Sequence, residues 1–514
     1  MSIQKISRRT AAAVLLFAAL VRPAFAQASV VPLTGRQLVA GSPHVVVAVV
    51  EEARTRWNRQ RTLLFTDYTL LVEERLRGEA PERVTISVPG GSLDGETHST
   101  SLSTPLETGA RYLLFLEDFD HPTLLPITGG WQGVIPADVD LPDLAAKVRG
   151  LVDLVETSPE PADIAWLARG EDPGLPAKAW EPTVRGGEKF IVRDPAVAPI
   201  LFNPLARDNR FSPHDQKQMA YWNLYARDLF RVLPNPSPNW AFGNDISDIA
   251  GFPTSAQLQQ QFDRPWPNGG FSFTATRMRE GHIVECDIAL NPAFQWTLDD
   301  AASTVPQGPL SFRNTILSNL GRAWGYRGQF DLLGGISLSP VTRDSVMNVK
   351  EPAHSLATLL AEDTRAVRSI HPGTSIRDGV ISAYSTEPFP FTPVYVPIRT
   401  SASSVRAGGT FALLNPVKIE NTGTEDLANP TVEVYLVPNR FSLNRSILVK
   451  KVNLQALLHS GDAQTFSLGV VTLPRNTRPG TYFFAFVLRD AKDGYQANNT
   501  AWSQFDVKIR VKAR

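Results

Sequence analysis

Proline sets the first limit on what this chain can fold into. Forty of its 514 residues are proline. Each one removes a backbone donor and fixes φ at about −65°, so long helices and central strands must fit between them. Two stretches concentrate the effect, Ser158–Pro182 and Glu387–Pro393 (EPFPFTP). Both read as connections between folded units. The length suits roughly three or four domains. Apolar residues (43%) and charged residues (20%) stand at globular levels. Lys+Arg and Asp+Glu balance at 51 each, so no basic excess points to nucleic acid and no acidic excess to disorder.

Residues 1–26 read as an export signal. Lys5, Arg8 and Arg9 precede an apolar core, Ala11–Val21, and Ala24-Phe25-Ala26 forms an A-x-A cleavage site before Gln27. The core is too short for a bilayer, which needs about 20 residues. Ser7-Arg8-Arg9 is similar to a twin-arginine signal, but Ala11-Ala12 stands where that signal carries a hydrophobic pair. The Sec and twin-arginine routes both stay open. The expected location is outside the cytoplasm, periplasmic or extracellular, and no later apolar run is long enough for a membrane helix. The single cysteine, Cys286, has no partner for a disulfide, so stability must come from packed cores. Its apolar surroundings, Ile283–Leu290, predict a buried, inert thiol.

From residue 30 to 157 the pattern is mainly strand. His44–Val50 (HVVVAVV) is a near-continuous apolar run, Leu63–Leu76 alternates in part, and Val84, Ile86 and Val88 alternate before Pro89-Gly90-Gly91. Tyr112–Leu116 is another apolar strand, and Leu141–Val155 has helical spacing. The segments VVVAVVEE, LLVEERLRGEAPERVTISVPGG, ETGARYLLFLE and TGGWQG resemble a netrin/TIMP-like module of the OB-barrel type. Inhibitors of that family clamp a peptidase zinc with an N-terminal cysteine. This domain has no cysteine, so the resemblance carries no inhibitory role. A connection, 158–186, follows.

Residues 187–374 are mixed α/β. Helices are expected at His214–Phe230, with Ser212 as N-cap and Pro213 in the first turn, at Leu310–Trp324 and at Leu356–Ile370. A strand is expected at His282–Asn291. Ser318–Gly328 reads SNLGRAWGYRG, and Asp344–Asn348 reads DSVMN. Laid over the metzincin helix H-E-x-x-H-x-x-G-x-x-H, the three histidine positions fall on Ser318, Arg322 and Gly328, the glutamate falls on Asn319, and the turn glycine survives as Gly325. Met347 falls in a segment that resembles the Met-turn. With the Trp222-Asn223 helix, the strand GHIVECDIALNP and the closing AEDTRAVRSIHPG, the order of parts resembles the matrixin branch of the metzincins, with the zinc ligands lost.

The connection 375–393 leads into an all-β tail, 394–514. Val417–Gly423, Thr431–Leu436 and Tyr482–Leu488 read as strands. The NTG turn, RPGTYFFAFVLRD and ANNTAW resemble a CARDB-type immunoglobulin-like sandwich. Such modules are accessory or adhesive domains of secreted bacterial proteins. The expected fold class is therefore multidomain: an N-terminal all-β OB-like barrel, a central α/β metzincin-like domain and a C-terminal all-β Ig-like sandwich.

The chemistry of the central helix argues against zinc. A catalytic zinc takes three protein ligands, and positions i and i+4 of a helix can share one ion. Ser318 is a poor ligand, Arg322 is a permanent cation without a lone pair, and Gly328 has no side chain. Asn319 cannot accept a proton as a general base. The eight histidines (44, 98, 121, 214, 282, 354, 371 and 459) include no pair three to five residues apart. No catalytic, cofactor or metal residues are therefore expected. A Cys286–His282 dyad needs an exposed thiol, and acidic groups such as Glu117/Asp118/Asp120 and Asp299/Asp300 read as solvated turns. The reading is an exported bacterial pseudopeptidase that binds an extracellular or periplasmic protein or peptide, with strand addition as a docking mode the old cleft could keep. The competing reading is a secreted metalloendopeptidase or other hydrolase with an unrecognised site. No nucleic-acid partner and no membrane span are expected.

Overall fold

The computed structural model describes residues 29–30, 35–102, 105–120, 122–136, 141–157, 200–204, 211–226, 229–232, 240–249, 251–267, 270–279, 282–298, 309–324, 359–370, 373–387, 394–490, 492–503 and 507–512. The expected export signal, the connection 158–186, and Gly325, Gly328 and Met347 lie outside them. The chain is strand-rich, with several sheets and few helices. Among the described residues no helix is long and apolar enough to cross a membrane.

The first elements are β1 (Ser29–Val30), α1 (Gly35–Gly41), β2 (His44–Trp57), β3 (Leu64–Arg77), β4 (Arg83–Pro89), β5 (Gly91–Leu93), β6 (Glu96–Thr100), β7 (Arg111–Leu116), β8 (Val134–Pro136) and α2 (Leu141–Thr157). Strands β4-β3-β2-β7-β8 form an antiparallel sheet in that order. The near-continuous apolar run of β2 follows from burial on both faces. Val45 and Val47 pack with Leu144, Val148 and Leu151 of α2. Val46, Ala48 and Val50 join Tyr68, Ile86 and Leu114 on the other side. Three register shifts along β2 and β3 bend the pair and increase its twist.

The central elements are β9 (Ile200–Pro204), α3 (Ser212–Asn223), β10 (Phe230–Val232), β11 (Ser247–Ile249), α4 (Ser255–Phe262), β12 (Gly270–Arg279), β13 (His282–Leu290), β14 (Trp296–Thr297), β15 (Leu310–Ser311), α5 (Phe312–Ala323) and α6 (Ala361–Ile370). Strands β10-β9-β11 are parallel, and β12–β13 is an antiparallel hairpin. Gly251 joins them: its N–H donates to Ile288 O, its carbonyl accepts from Leu290 N, and the bridge to Ala289 is parallel. A Cβ at Gly251 would sit 2.5 Å from Trp240 Cδ1, so only glycine allows this approach.

Alternation along β13 separates two cores. Cys286, Ile288 and Leu290 face α3 and α5. Ala289 faces the opposite core with Phe273, Ala275, α4 and, from the N-terminal segment, Leu63, Phe65, Leu124 and Leu125. The N-terminal segment also contributes backbone. β6 pairs with β12 from Thr100↔Ala275 to Glu96↔Arg279, and β1 pairs with Ser272 and Gly270. Hydrogen bonds thus cross the line drawn between 30–157 and 187–374. The reason is chemical: ETHST is a polar strand whose buried His98 and Thr100 side chains are hydrogen-bonded, so apolar periodicity does not mark it as part of a second sheet.

Two other expectations need correction. Helix α3 ends at Asn223, not Phe230, because the Asn223 amide exchanges two hydrogen bonds with the backbone of Phe230 (2.8 and 2.9 Å) and turns the chain into β10. Its N-cap is Phe211, with no side-chain cap, and Ser212 is already helical.

The C-terminal strands are β16 (Gly379–Ser382), β17 (Tyr384–Glu387), β18 (Val394–Pro397), β19 (Ser404–Arg406), β20 (Thr410–Leu413), β21 (Val417–Asn421), β22 (Leu427–Ala428), β23 (Thr431–Val437), β24 (Ile447–Asn453), β25 (Leu457–Leu458), β26 (Ala463–Phe466), β27 (Gly469–Thr472), β28 (Gly480–Arg489), β29 (Thr500–Trp502) and β30 (Ile509–Lys512). Sheet β16-β21-β26 and sheet β19-β30-β28-β23-β24 share a core of Ile381, Val417, Ile419, Val432, Val434, Phe484 and Phe486. β16 and β17 fall in 375–393, so much of that expected connection is strand, paired to β21 and β18.

Helix α6 is held at both ends by β21 and its turn. Glu420 Oε2 accepts from Ala361 N (2.9 Å) at the positive end of the helix. Near the other end Arg368 donates to Thr422 O (2.7 Å) and Ser460 Oγ (3.1 Å). Glu420 is itself buried beside Lys418, whose Nζ lies 2.6 Å from Oε1. Glu420→Ala removes the carboxylate beside the buried Lys418 cation and one of the acceptors at the start of the helix. It should lower unfolding free energy in urea titration by about 3–5 kcal/mol, the range for breaking a buried pair.

Candidate functional site

Helix α5 begins where Ser311 Oγ accepts from Asn314 N (3.2 Å). Trp222 of α3 donates its indole N–H to Leu317 O (3.1 Å) and meets Trp324 edge-on at 5.6 Å. This fixes the helix against its neighbour and turns positions 318, 319 and 322 in defined directions. Ser318 is buried, Asn319 is fully buried and Arg322 is partly exposed.

Asn319 does not point at a ligand. Its Oδ1 accepts from Thr274 Oγ1 (2.6 Å) and from Arg322 Nη1 (3.0 Å). Its Nδ2 donates to Thr315 O (2.7 Å) and Ser272 Oγ (3.3 Å). An amide has two donor hydrogens and two acceptor lone pairs, and all four are used. Asn319 therefore ties α5 to β12. Arg322 brings its guanidinium to this amide, which places a cation where a metal-binding helix needs a lone pair. Zinc does not fit these residues. Among the described residues no three His, Cys, Asp or Glu side chains are grouped to hold a metal.

Cys286 is fully buried, with Sγ 3.7 Å from Thr276 Oγ1. A thiol in that setting is no nucleophile. The expected solvated turn at Glu117 is a correction: Glu117 is buried and accepts from Thr123 Oγ1 (2.7 Å), while Asp118 and Asp120 do form an exposed turn.

The opposite face of the sheet carries buried charge that the apolar pattern of β13 concealed. The Glu285 carboxylate collects the N–H groups of Gly243 (2.8 Å), Asn244 (3.0 Å) and Asp245 (3.3 Å), and Arg277 Nε lies 2.9 Å away. Arg277 also pairs with Asp245 and approaches Glu96 at 3.9 Å. Asp287 Oδ1 accepts from Asp248 N (2.7 Å), and its Oδ2 is buried without a partner. Burial, with Glu285 and Asp248 close by, holds the Asp287 carboxyl well above the ordinary range. His98 locks the N-terminal hairpin to this cluster. Its Nδ1 accepts from Leu64 N (3.1 Å), Nε2 faces Glu96 (3.3 Å), and the ring lies edge-on to Trp57 and Phe242. Burial lowers it to about 4, so it is neutral at pH 7. The signal for the carboxylates was in the sequence: Glu285 and Asp287 share parity inside an apolar run.

No family model matches the chain, and no curated protein matches it. Two solved structures show distant likenesses. The sporulation control protein Spo0M from Bacillus subtilis aligns at 12% identity and a TM-score of 0.15, over 27% of this chain and 51% of its own. A β-glucosidase from Erythrobacter marinus aligns at 12% identity and a TM-score of 0.16, over 52% of this chain and 28% of its own. The chain thus spans about half of the first and under a third of the second, and neither likeness carries an argument.

Two substitutions test the two faces. Asn319→Asp replaces a double donor with a carboxylate facing Thr315 O and Ser272 Oγ. It should cost about 1–3 kcal/mol in chemical denaturation. Asp287→Asn acts through pH. A carboxyl raised in the fold supports stability below its unfolded value and loses that support as pH rises toward its folded value. The variant should therefore unfold at higher denaturant than the parent at pH 8 and show no such gain near pH 4.

Proposed function

We propose that this chain is an exported bacterial protein whose central domain is a catalytically inactive, metzincin-like pseudopeptidase, serving as a protein-binding scaffold between an OB-like and an Ig-like β module. The observation that carries the reading is Asn319. The position that would hold the general base is a buried, fully hydrogen-bonded amide with the Arg322 guanidinium upon it. The order of parts supports the frame: helix α3 with Trp222, strand β13, helix α5 and closing helix α6 occur in the sequence expected of a matrixin-like domain. The partner in this reading is a periplasmic or extracellular protein or peptide.

Its mode of docking is narrowed by strand pairing. An incoming peptide could add to a sheet only at an open edge. The outer edge of β12 is already hydrogen-bonded to β6 and β1, and β13 is flanked by Gly251. Strand addition would therefore need an edge other than that of β12.

The test is metal content and proteolysis of the purified mature chain. The expected result is zinc far below one per chain, and no cleavage across a broad peptide library by the parent, Ser318→Ala or Arg322→Ala. Stoichiometric zinc that a chelator removes together with peptidase activity would refute the proposal. Cleavage that survives both substitutions would place a hydrolase site elsewhere and refute it equally.

A further inference from the structure

One carboxylate lies where the helical layer of the central module meets the C-terminal sandwich. Asp378 precedes β16 and is fully buried. Its Oδ2 accepts from Tyr225 OH just beyond α3, from Thr422 Oγ1 after β21 (2.6 Å) and from Asn498 Nδ2 in the 3-10 turn Gln496–Asn498 (3.1 Å). Its backbone carbonyl accepts from Thr422 N and Gly423 N. Four segments from two modules thus meet at one side chain. The same Asn498 leaves its Oδ1 buried without a partner. Rotating that amide by 180° puts an acceptor where the donor now stands, within about 3.2 Å of the carboxyl, the reach of a hydrogen bond.

We propose that this junction is an acid-tightened clasp: docking of the C-terminal sandwich takes up a proton at Asp378, which then donates to Asn498. The sign follows from the surroundings. Burial raises the Asp378 carboxyl to about 6 in the docked state, with Asp493 adding to the rise and Thr422, Tyr225 and Asn498 opposing it. Undocking returns the group to water and to an ordinary carboxyl value. The docked state therefore binds the proton more tightly, and acidification favours docking.

The other charged and titratable groups facing the node come from each element packed on it. Tyr221 and Tyr225 are fully buried and stay protonated, both raised chiefly by desolvation. Tyr495, stacked at 4.5 Å on Tyr221, is raised as well. Asp493 accepts from Gly379 N (3.0 Å) and Tyr495 N (2.8 Å). Arg377 pairs with Asp490 (2.5 Å), and Arg368 of α6 donates to Thr422 O. None of these offers a histidine that would compete for the same pH range.

Amide hydrogen exchange on the full mature chain tests the clasp, corrected for the intrinsic pH dependence of exchange. The reporters are the N–H of Ala361, which donates across the junction to Glu420, and the N–H groups of Thr422 and Gly423, which donate to the Asp378 carbonyl, with Val434 in the sandwich core as reference. Protection at the three reporters should rise about tenfold between pH 7.5 and 5.0, as proton linkage at a single carboxyl of this kind requires. Val434 should not follow. Asp378→Asn should abolish the rise. If that variant does not fold, Asp493→Asn serves instead, since removing the neighbouring negative charge should move the midpoint to lower pH. Junction protection in the parent that is flat or falls on acidification overturns the proposal. So does a rise that persists unchanged in the folded Asp378→Asn variant.

Discussion

Strand β12 is bonded on both edges and packed on both faces, and β13, β6, β1 and helix α5 are arranged around it. One edge carries β13, the other carries β6 and β1. One face presents Ser272 and Thr274 to helix α5, and the other presents Phe273 and Ala275 to a core shared with the N-terminal hairpin. A strand with no free donors or acceptors cannot slide by one residue without exchanging its two faces. The register of β12 therefore positions the helix, the hairpin and the charged cluster at Arg277 together.

Many polar residues of this layer are as deeply buried as the apolar ones, and pairing, which only atoms such as Asp287 Oδ2 lack, makes that burial tolerable. His98, Glu285, Asn319 and Asp378 each accept from neighbours on other elements. Each such group is more directional than an apolar contact. A leucine at position 319 could pack in several ways. An amide that must satisfy Thr274, Ser272, Thr315 and Arg322 allows one. The cores supply the bulk of the driving force, and the paired polar groups select among packings.

What could be read from the residues, and what could not, divides along the same line. The β2 run, the β3–β4 alternation, helix α2 and strand β13 were legible because apolar periodicity records burial on one or two faces. Strand β6 was not legible as part of the second sheet, since Glu96, Thr97, His98 and Ser99 carry no apolar signal. Strands β16 and β17 were hidden by the prolines that follow them. The end of α3 was set by an Asn223 side chain imitating a strand, a contact with no periodic signature. At helix α5 the residue types declared that a metal would be poorly held. They did not declare that Asn319 makes four hydrogen bonds, which depends on β12 lying beneath it.

That last point bears on the proposed loss of a metal site. A structural contribution accompanies any bound metal, because ligands drawn from separate segments are tied together through the ion. On the proposed reading, a helix released from zinc must be held some other way. Here the hold runs from Asn319 to Thr274 and Ser272 on the sheet and from Trp222 to the Leu317 carbonyl on the neighbouring helix. A glutamate at 319 would remove both donors of the amide and place a charge against Thr315 O in a fully buried position. A histidine at 322 would remove the cation that now completes the amide's acceptor. Either substitution would cost hydrogen bonds that the present side chains use to hold the helix against the sheet.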